Sequence, residues 1–342
     1  MQTLSRPFST LFTRTNDRRF DELDSLLRFC YQKQEDSKVH WRLPSELLPT
    51  NNHGKLQLKI AGDALCDLND WSFGQICRFS RQKKDSVNRM KAETATQVLM
   101  ESFPYGQRPL QVLVQDNLVR SINSVGYVPI YDSDLLDILI DETFDLDCPP
   151  IGESGSTGFY AGEQDMFAGM IDDKSWVEIG CEAFAPGLAI WNSEVGSRSL
   201  GIESFWLQRG CSNHIVWDAT DIVSYRRRHH TNVDSVLKDI RFILKRLVLT
   251  SHTRKDRFAK AIRAAMATSV GNTKAEAIQN LGRFDLKPSF LTQALDRMIE
   301  DSAGYTVFNA VDYLTRGSGE LCNAGARTDI DIRIGKILSL AV

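Results

Sequence analysis

The sequence predicts an α+β protein, with a β-rich central region followed by a helical C-terminal third. Short segments that alternate apolar with polar residues recur as far as residue 208, which is the period of half-buried strands. After Asp234 apolar residues return every three or four positions, as Val236, Ile240, Ile243, Leu244, Leu247 and Val248 do. Strands and helices are therefore segregated along the chain rather than interleaved as βαβ units. At 342 residues, 42% hydrophobic and 25% charged, the chain has a globular composition and room for one large domain or two smaller ones. The pattern divides it into an N-terminal arm and helix (1–55), a mixed α/β core (56–223) and a helical region packed on that core (224–342).

Residues 1–16 carry Arg6 and Arg14 but no acid, and read as an arm before the first helix rather than a mitochondrial presequence. Phe20, Leu23, Leu26, Leu27 and Tyr31 recur at helical spacing and predict a helix over 20–33. Lys33 to Lys38 reads as a charged loop, and Pro44 and Pro49 bracket an irregular connection. Leu56, Leu58 and Ile60 alternate as a strand, Gly62-Asp63 turns the chain, and a second strand ends at Leu68. Asn69 or Asp70 caps a helix from Trp71 to Phe79, because either side chain can accept from the unpaired N–H groups of a first turn. A further helix covers 92–103. Leu110 to Val114 and Leu118 to Ile122 form a hairpin about Gln115-Asp116-Asn117, where Asn tolerates the turn. A helix follows at 133–142. Residues 145–158, with two prolines and three glycines, form a surface loop. Strands fall near 159–171, 176–179, 187–193 and 200–208. Further helices fit 254–268, 274–281, 288–301, 305–314 and 330–340.

No apolar run approaches the ~20 residues that span a bilayer, and no signal-peptide core is present, so a cytoplasmic chain with no membrane partner is expected. The seven cysteines (30, 66, 77, 148, 181, 211 and 322) are dispersed without a C-x-x-C pair, which reads as reduced, mostly buried thiols. Neither G-x-x-x-x-G-K-[ST] nor G-x-G-x-x-G after a strand occurs, so ATP hydrolysis and dinucleotide chemistry are disfavoured and no cofactor is expected.

Net charge is −3, yet the charges are segregated. Twelve acidic residues and no Lys or Arg lie from Ser121 to Asp173, whereas Arg226 to Arg263 holds twelve Lys or Arg against three Asp, a balance of +9.

Several stretches carry a family resemblance: Leu68-Asn69-Asp70-Trp71-Ser72-Phe73-Gly74-Gln75-Ile76-Cys77, then Asn192 to Gly201 (NSEVGSRSLG), Cys211 to Trp217 (CSNHIVW), Arg226-Arg227-Arg228-His229, and Asp331 to Leu338 (DIRIGKIL). Together they resemble the domain-of-unknown-function family 932 (DUF932) of phages, plasmids and bacterial genomes, from about residue 14 to the C-terminus. The resemblance implies an accessory protein of mobile elements and brings no established catalytic residue. The sequence departs from the family's pattern at Ser212, where Gly is usual.

Three chemistries compete. In the first, Arg226, Arg227, Arg228, Lys238, Arg241, Lys245, Arg246, Arg254, Lys255 and Arg257 contact nucleic acid, DNA above all, because clustered cations on adjacent elements displace the counterions condensed on phosphates. Lys238, Arg241 and Lys245 share a helical face by their spacing, and Tyr225 with Trp206 or Trp217 would stack bases. Single-strand binding or annealing is the concrete form. In the second, Glu194 and His214, with one of Asp132, Asp134, Asp137, Asp141, Glu142, Asp145 or Asp147, form a metal-dependent nuclease. The plainer reading leaves Asn192, Ser193 and Glu194 satisfying a turn while Val195 and Leu200 enter the core, and leaves the carboxylates solvated. Cys211 and His214 stand too close in sequence for the usual nucleophile–base pair, and with His229 and His230 they match no zinc spacing, so no metal is assigned. In the third, acidic and basic segments pair between subunits of a homo-oligomer.

Overall fold

The structure, a computed structural model, describes residues 10–62, 65–143, 158–209, 215–217, 225–227, 233–250, 255–321 and 323–341; for 215–217, 225–227, 248 and 250 the description is of the backbone. The α+β class holds, with strands in the first two-thirds and helices after them.

One sheet is assembled from β2 (Ser37–Arg42), β3 (Leu47–Asn52), β4 (Lys55–Ile60), β5 (Leu65–Leu68), β6 (Leu110–Gln115) and β7 (Leu118–Ser124), in the order β2-β6-β7-β5-β4-β3. Every pairing is antiparallel except β5 with β7. Alternation turns Leu56, Leu58 and Ile60 inward, onto Phe73 and Ile76 of α2 (Asp70–Phe79) and Ala95 and Leu99 of α4 (Ala92–Ser102). Between these helices lies α3 (Lys84–Val87), which the sequence pattern did not reveal. Asn69 caps α2 as expected: its Oδ1 accepts from Ser72 N at 2.8 Å, and Ser72 Oγ accepts from Asn69 N at 3.0 Å. The hairpin turns through Asp116 at φ 52°, so the Asp rather than the expected Asn takes the left-handed position.

The charged loop expected at 33–38 is not a loop. Helix α1 (Leu23–Glu35) runs on to Glu35, and β2 starts at Ser37 because β6 offers it a full ladder, a tertiary partner that overrides its polar composition. Pro49, expected in an irregular connection, sits within β3, which is tolerated because β3 is an edge strand.

The second sheet runs β1-β8-β9-β11-β12-β13, from β1 (Arg18–Phe20), β8 (Phe159–Ala161), β9 (Met166–Ile171), β11 (Glu182–Asn192), β12 (Leu200–Gln208) and β13 (Ile215–Trp217). Strand β10 (Val177–Ile179) pairs with β11, and β14 (Tyr225–Arg227) pairs with β12. All of β12 is buried, so both faces of this sheet are covered. Met166, Ala168, Leu188, Ile190, Leu200 and Ile202 face α1, α5 (Asp132–Glu142) and α6 (Val233–Thr250). Phe167, Trp191, Phe205 and Leu207 point the other way, toward Ala324 and Ile332 of α11 (Ala324–Gly335). At one end Trp206 stacks on Phe258 of α7 (Lys255–Ala267), ring centroids 4.1 Å apart, and joins the core of α8 (Lys274–Gly282), α9 (Pro288–Glu300) and α10 (Val307–Gly319).

Two expected limits move. Helix α10 continues past 314 to Gly319, its last turn burying Thr315, Ser318 and Gly319, which apolar periodicity does not register. Helix α11 begins at Ala324 rather than 330 and passes into a 3-10 segment at Lys336–Leu340. The expected boundary at 55 falls where the β3–β4 hairpin closes, and β14 carries the C-terminal region back into the central sheet. The expected 145–158 loop lies, up to residue 157, outside the described residues. Among the described residues no helix is long and apolar enough to cross a membrane.

Candidate functional site

The two sheets meet along a seam, and the NSEVGSRSLG stretch lies in it as the turn from β11 to β12. At its start Asn192 and Glu194 enter a buried cluster of four charges. Lys33 Nζ on α1 lies 2.7 Å from Asp132 Oδ2 and 3.3 Å from Glu194 Oε2. Arg120 Nη2 donates to the same Glu194 Oε2, and its Nη1 donates to Ser37 Oγ at 2.9 Å. Glu194 Oε1 accepts from Asp132 N at the start of α5, 3.1 Å, and Asn192 Nδ2 donates to Asp132 Oδ1, 2.8 Å. Arg120 reaches this point because the β6–β7 register shifts between Leu113 and Val114, leaving Arg120 as the extra residue of a bulge that re-aims its side chain.

Burial is the largest influence on both carboxyls and raises each. For Asp132 the neighbouring Glu194 charge adds to it, and the pKa stays above the ordinary range. For Glu194 the cations Lys33 and Arg120 and the hydrogen bonds outweigh burial, and the pKa is held low. Glu194 is thus ionised, 2% exposed and engaged through both oxygens, which is a structural task rather than that of a base meeting substrate.

Beyond Glu194 the turn faces α2. Trp71 Nε1 donates to Val195 O at 2.9 Å, and Tyr127 Oη donates to Glu194 O at 2.8 Å and lies 3.1 Å from Ser193 O. Burial pushes the Tyr127 hydroxyl pKa far up, so it stays a donor. Gly196 has φ +77°, and a Cβ there would come within 3.0 Å of the Tyr127 ring, so the turn needs glycine on two counts. Ser193 Oγ accepts from Ser197 N at 2.9 Å, while Val195 and Leu200 are buried, as the plainer reading expected.

Between turn and helix opens a cleft of about 430 Å3. Helix α2 supplies Gln75, Arg78 and Phe79, the end of β7 supplies Ile122, Asn123 and Ser124, and Tyr127 with Gly196 to Ser199 completes the wall. Gln75 is fixed by accepting from Ile122 N (2.8 Å) and donating to Asn123 Oδ1 (3.1 Å). Two blocks of the family resemblance, 68–77 and 192–201, therefore face one another across this cleft. Arg198, however, is neutralised: it forms a fork onto Asp329 at 2.7 and 2.9 Å and donates to Gly325 O at 2.9 Å. Burial lowers its pKa, but Asp329 and Asp165 outweigh that and raise it. Arg78 is exposed, its guanidinium 5.7 Å above the Trp71 ring.

Among the described residues the basic run divides between two helices. Arg226 and Arg227 lie in β14 with only their backbone described, and Arg228, Arg254, His214, His229, His230, Cys211 and Ser212 lie outside the described residues. Lys238, Arg241, Lys245 and Arg246 share the exposed side of α6, whose apolar side packs with α1 and α5. Lys255 and Arg257 stand on α7, which packs in the C-terminal helical core instead. Moreover, Arg241 lies 3.3 Å from Asp141 and 3.1 Å from Glu142, with Lys245 3.5 Å from Glu142, so acidic and basic segments pair here within the chain. Trp206, expected to stack bases, is buried against Phe258. On α6 itself an exposed aromatic is Phe242, 67% accessible.

Of the expected acidic set Asp145 and Asp147 lie outside the described residues; among the others Asp132 belongs to the seam, Asp137 accepts from Tyr31 Oη, and Asp141 and Glu142 meet α6. Among the described residues no three His, Cys, Asp or Glu gather as metal ligands. Sequence reasoning missed Lys33, Arg120, Tyr127 and Arg78. Lys33 had a signal, since Leu26, Cys30 and Lys33 recur at helical spacing and share the buried face. Arg120 had none, because a bulge belongs to the pairing of two strands.

No family model, curated protein or solved structure matches this chain.

Proposed function

We propose that the chain is a non-catalytic nucleic-acid-binding accessory protein of a phage or plasmid, related to the domain-of-unknown-function family 932 and acting on single-stranded DNA in the bacterial cytoplasm. The observation that carries this reading is the exposed side of α6, where Lys238, Arg241, Lys245 and Arg246 surround the accessible ring of Phe242. Cations flanking an exposed aromatic are what a single strand requires, the ring stacking a base while the cations take phosphates. The pairs that Arg241 and Lys245 make with α5 are compatible with this. Both cations and Asp141 are about half exposed, and ion pairs of exposed side chains hold by only ~0–1 kcal/mol, so phosphate can displace Asp141, whereas Glu142, its side chain 8% exposed, is the tighter partner.

The test is a titration of single-stranded oligonucleotide against salt concentration. Binding should weaken steeply with salt, Lys238→Ala should flatten that dependence by about one phosphate contact, and Phe242→Ala should weaken binding at every salt. Asp141→Asn should tighten binding by removing a competitor for Arg241. Absence of binding at low salt, or binding indifferent to salt, removes the reading.

A further inference from the structure

We infer that the cleft between α2 and the β11–β12 turn is a binding site for a nucleoside phosphate. Its volume, about 430 Å3, falls within the range of small-molecule sites, and it opens at the seam of two sheets. Among the described residues its lining holds two arginines and no carboxylate. Arg198 is committed to Asp329, which leaves Arg78 as the cation available to the cleft; the contact shown for its guanidinium is the face of Trp71. A planar guanidinium offers phosphate a pair of parallel donors.

Hydroxyls stand on both other walls, Ser124 at the end of β7 and Ser199 on the turn. The half-buried Phe79 ring gives a base a flat apolar surface next to the guanidinium. Outside the cleft the chain from Arg78 to Lys91 carries six Lys or Arg against one Asp. Lys84 is paired with Asp70 at 2.6 Å, and Arg81, Lys83 and Lys91 are exposed. That run continues from Arg78, and its excess of positive charge favours anions near the guanidinium. The rigid floor follows from Gly196 seated against Tyr127, with Gln75 bracing the end of β7. A ligand there touches α2 from one sheet and the turn from the other, so binding should stabilise the fold as a whole.

This site uses none of the α6 residues, so it stands or falls separately from strand binding. The experiment is calorimetric titration with adenosine 5′-monophosphate, adenosine, inorganic phosphate, and an oligonucleotide with or without a 5′-phosphate. The nucleotide should bind saturably and raise the melting temperature, with adenosine weaker by ~10-fold or more, as loss of a charge-assisted contact implies. Arg78→Ala, an exposed change that leaves the fold intact by circular dichroism, should weaken the nucleotide by ~10-fold. Ser199→Tyr should block the cleft, and Lys238→Ala should leave nucleotide binding unchanged. Binding of the 5′-phosphorylated oligonucleotide alone would support the site with a strand end as the source. Inorganic phosphate binding as tightly as the nucleotide, no saturable binding of any phosphate-bearing probe, or an unaltered affinity in Arg78→Ala would each overturn the proposal.

Discussion

The two ends of α5 hold charge clusters made of the same residue types, and they behave as opposites. At its N-terminal end Asp132 joins Lys33, Arg120 and Glu194, all with side chains no more than 8% exposed. At its C-terminal end Asp141 meets Arg241 with both side chains about half exposed, and Glu142 adds Lys245. Each end obeys the helix dipole, with the Glu194 carboxylate against the first N–H groups and cations near the last carbonyls. What separates them is water. The buried set must be complete, because a lone charge there has no solvent to fall back on, while Asp141, Arg241 and Lys245, each about half exposed, can exchange partners. Only the second is therefore fit to meet a charged ligand, and the first fastens α1, α5 and the two sheets together.

Substitutions should separate the two ends sharply. Glu194→Ala leaves Lys33 and Arg120 facing one carboxylate, and should cost about 3–5 kcal/mol in urea unfolding; a loss below ~1 kcal/mol would put this cluster in the same class as the surface pairs. Between these extremes stands Asp331 on α11, fully buried with Ser318 Oγ donating to it. Burial, only partly offset by that bond and by Arg327, raises its pKa to about 7 from an ordinary 3.8. Within that window the folded chain holds a proton that the unfolded chain has released, so stability falls as pH rises from about 4 to about 7. Asp331→Asn should remove that slope, a difference of ~3 kcal/mol between pH 5 and pH 8, read from denaturation at those two pH values. An unchanged slope in the variant would mean another group is responsible. The smallest effect belongs to Arg241→Ala, which should change stability by less than ~1 kcal/mol, and by less still in high salt.

Much of the local structure was legible because it depends on neighbours in sequence. The Asn69 cap, the alternation of β4 and the amphipathic pattern of α6 are each contained within a few residues. The failures share a different cause. Lys33 to Lys38 looked like a loop because nothing local announces that β6 waits to pair with Ser37–Arg42. Glu194, in a polar turn, was the nuclease candidate, and nothing near Arg198 showed that it is spent. Their partners, Lys33, Arg120 and Asp329, stand at least 74 residues away, and no spacing rule reaches that far. The cleft was legible only by halves: two distinctive blocks were recognisable, but not that they face each other.

The sequence alone determined the class of fold, the succession of most elements, and the segregation of acid from base. Those properties follow from periodicity and composition, which act over one element at a time. Tertiary structure alone decided which charges are spent on one another and which still face water, since that depends on burial and on a bulge at Arg120. Charge is written in the sequence, but its availability is set by distance and solvent.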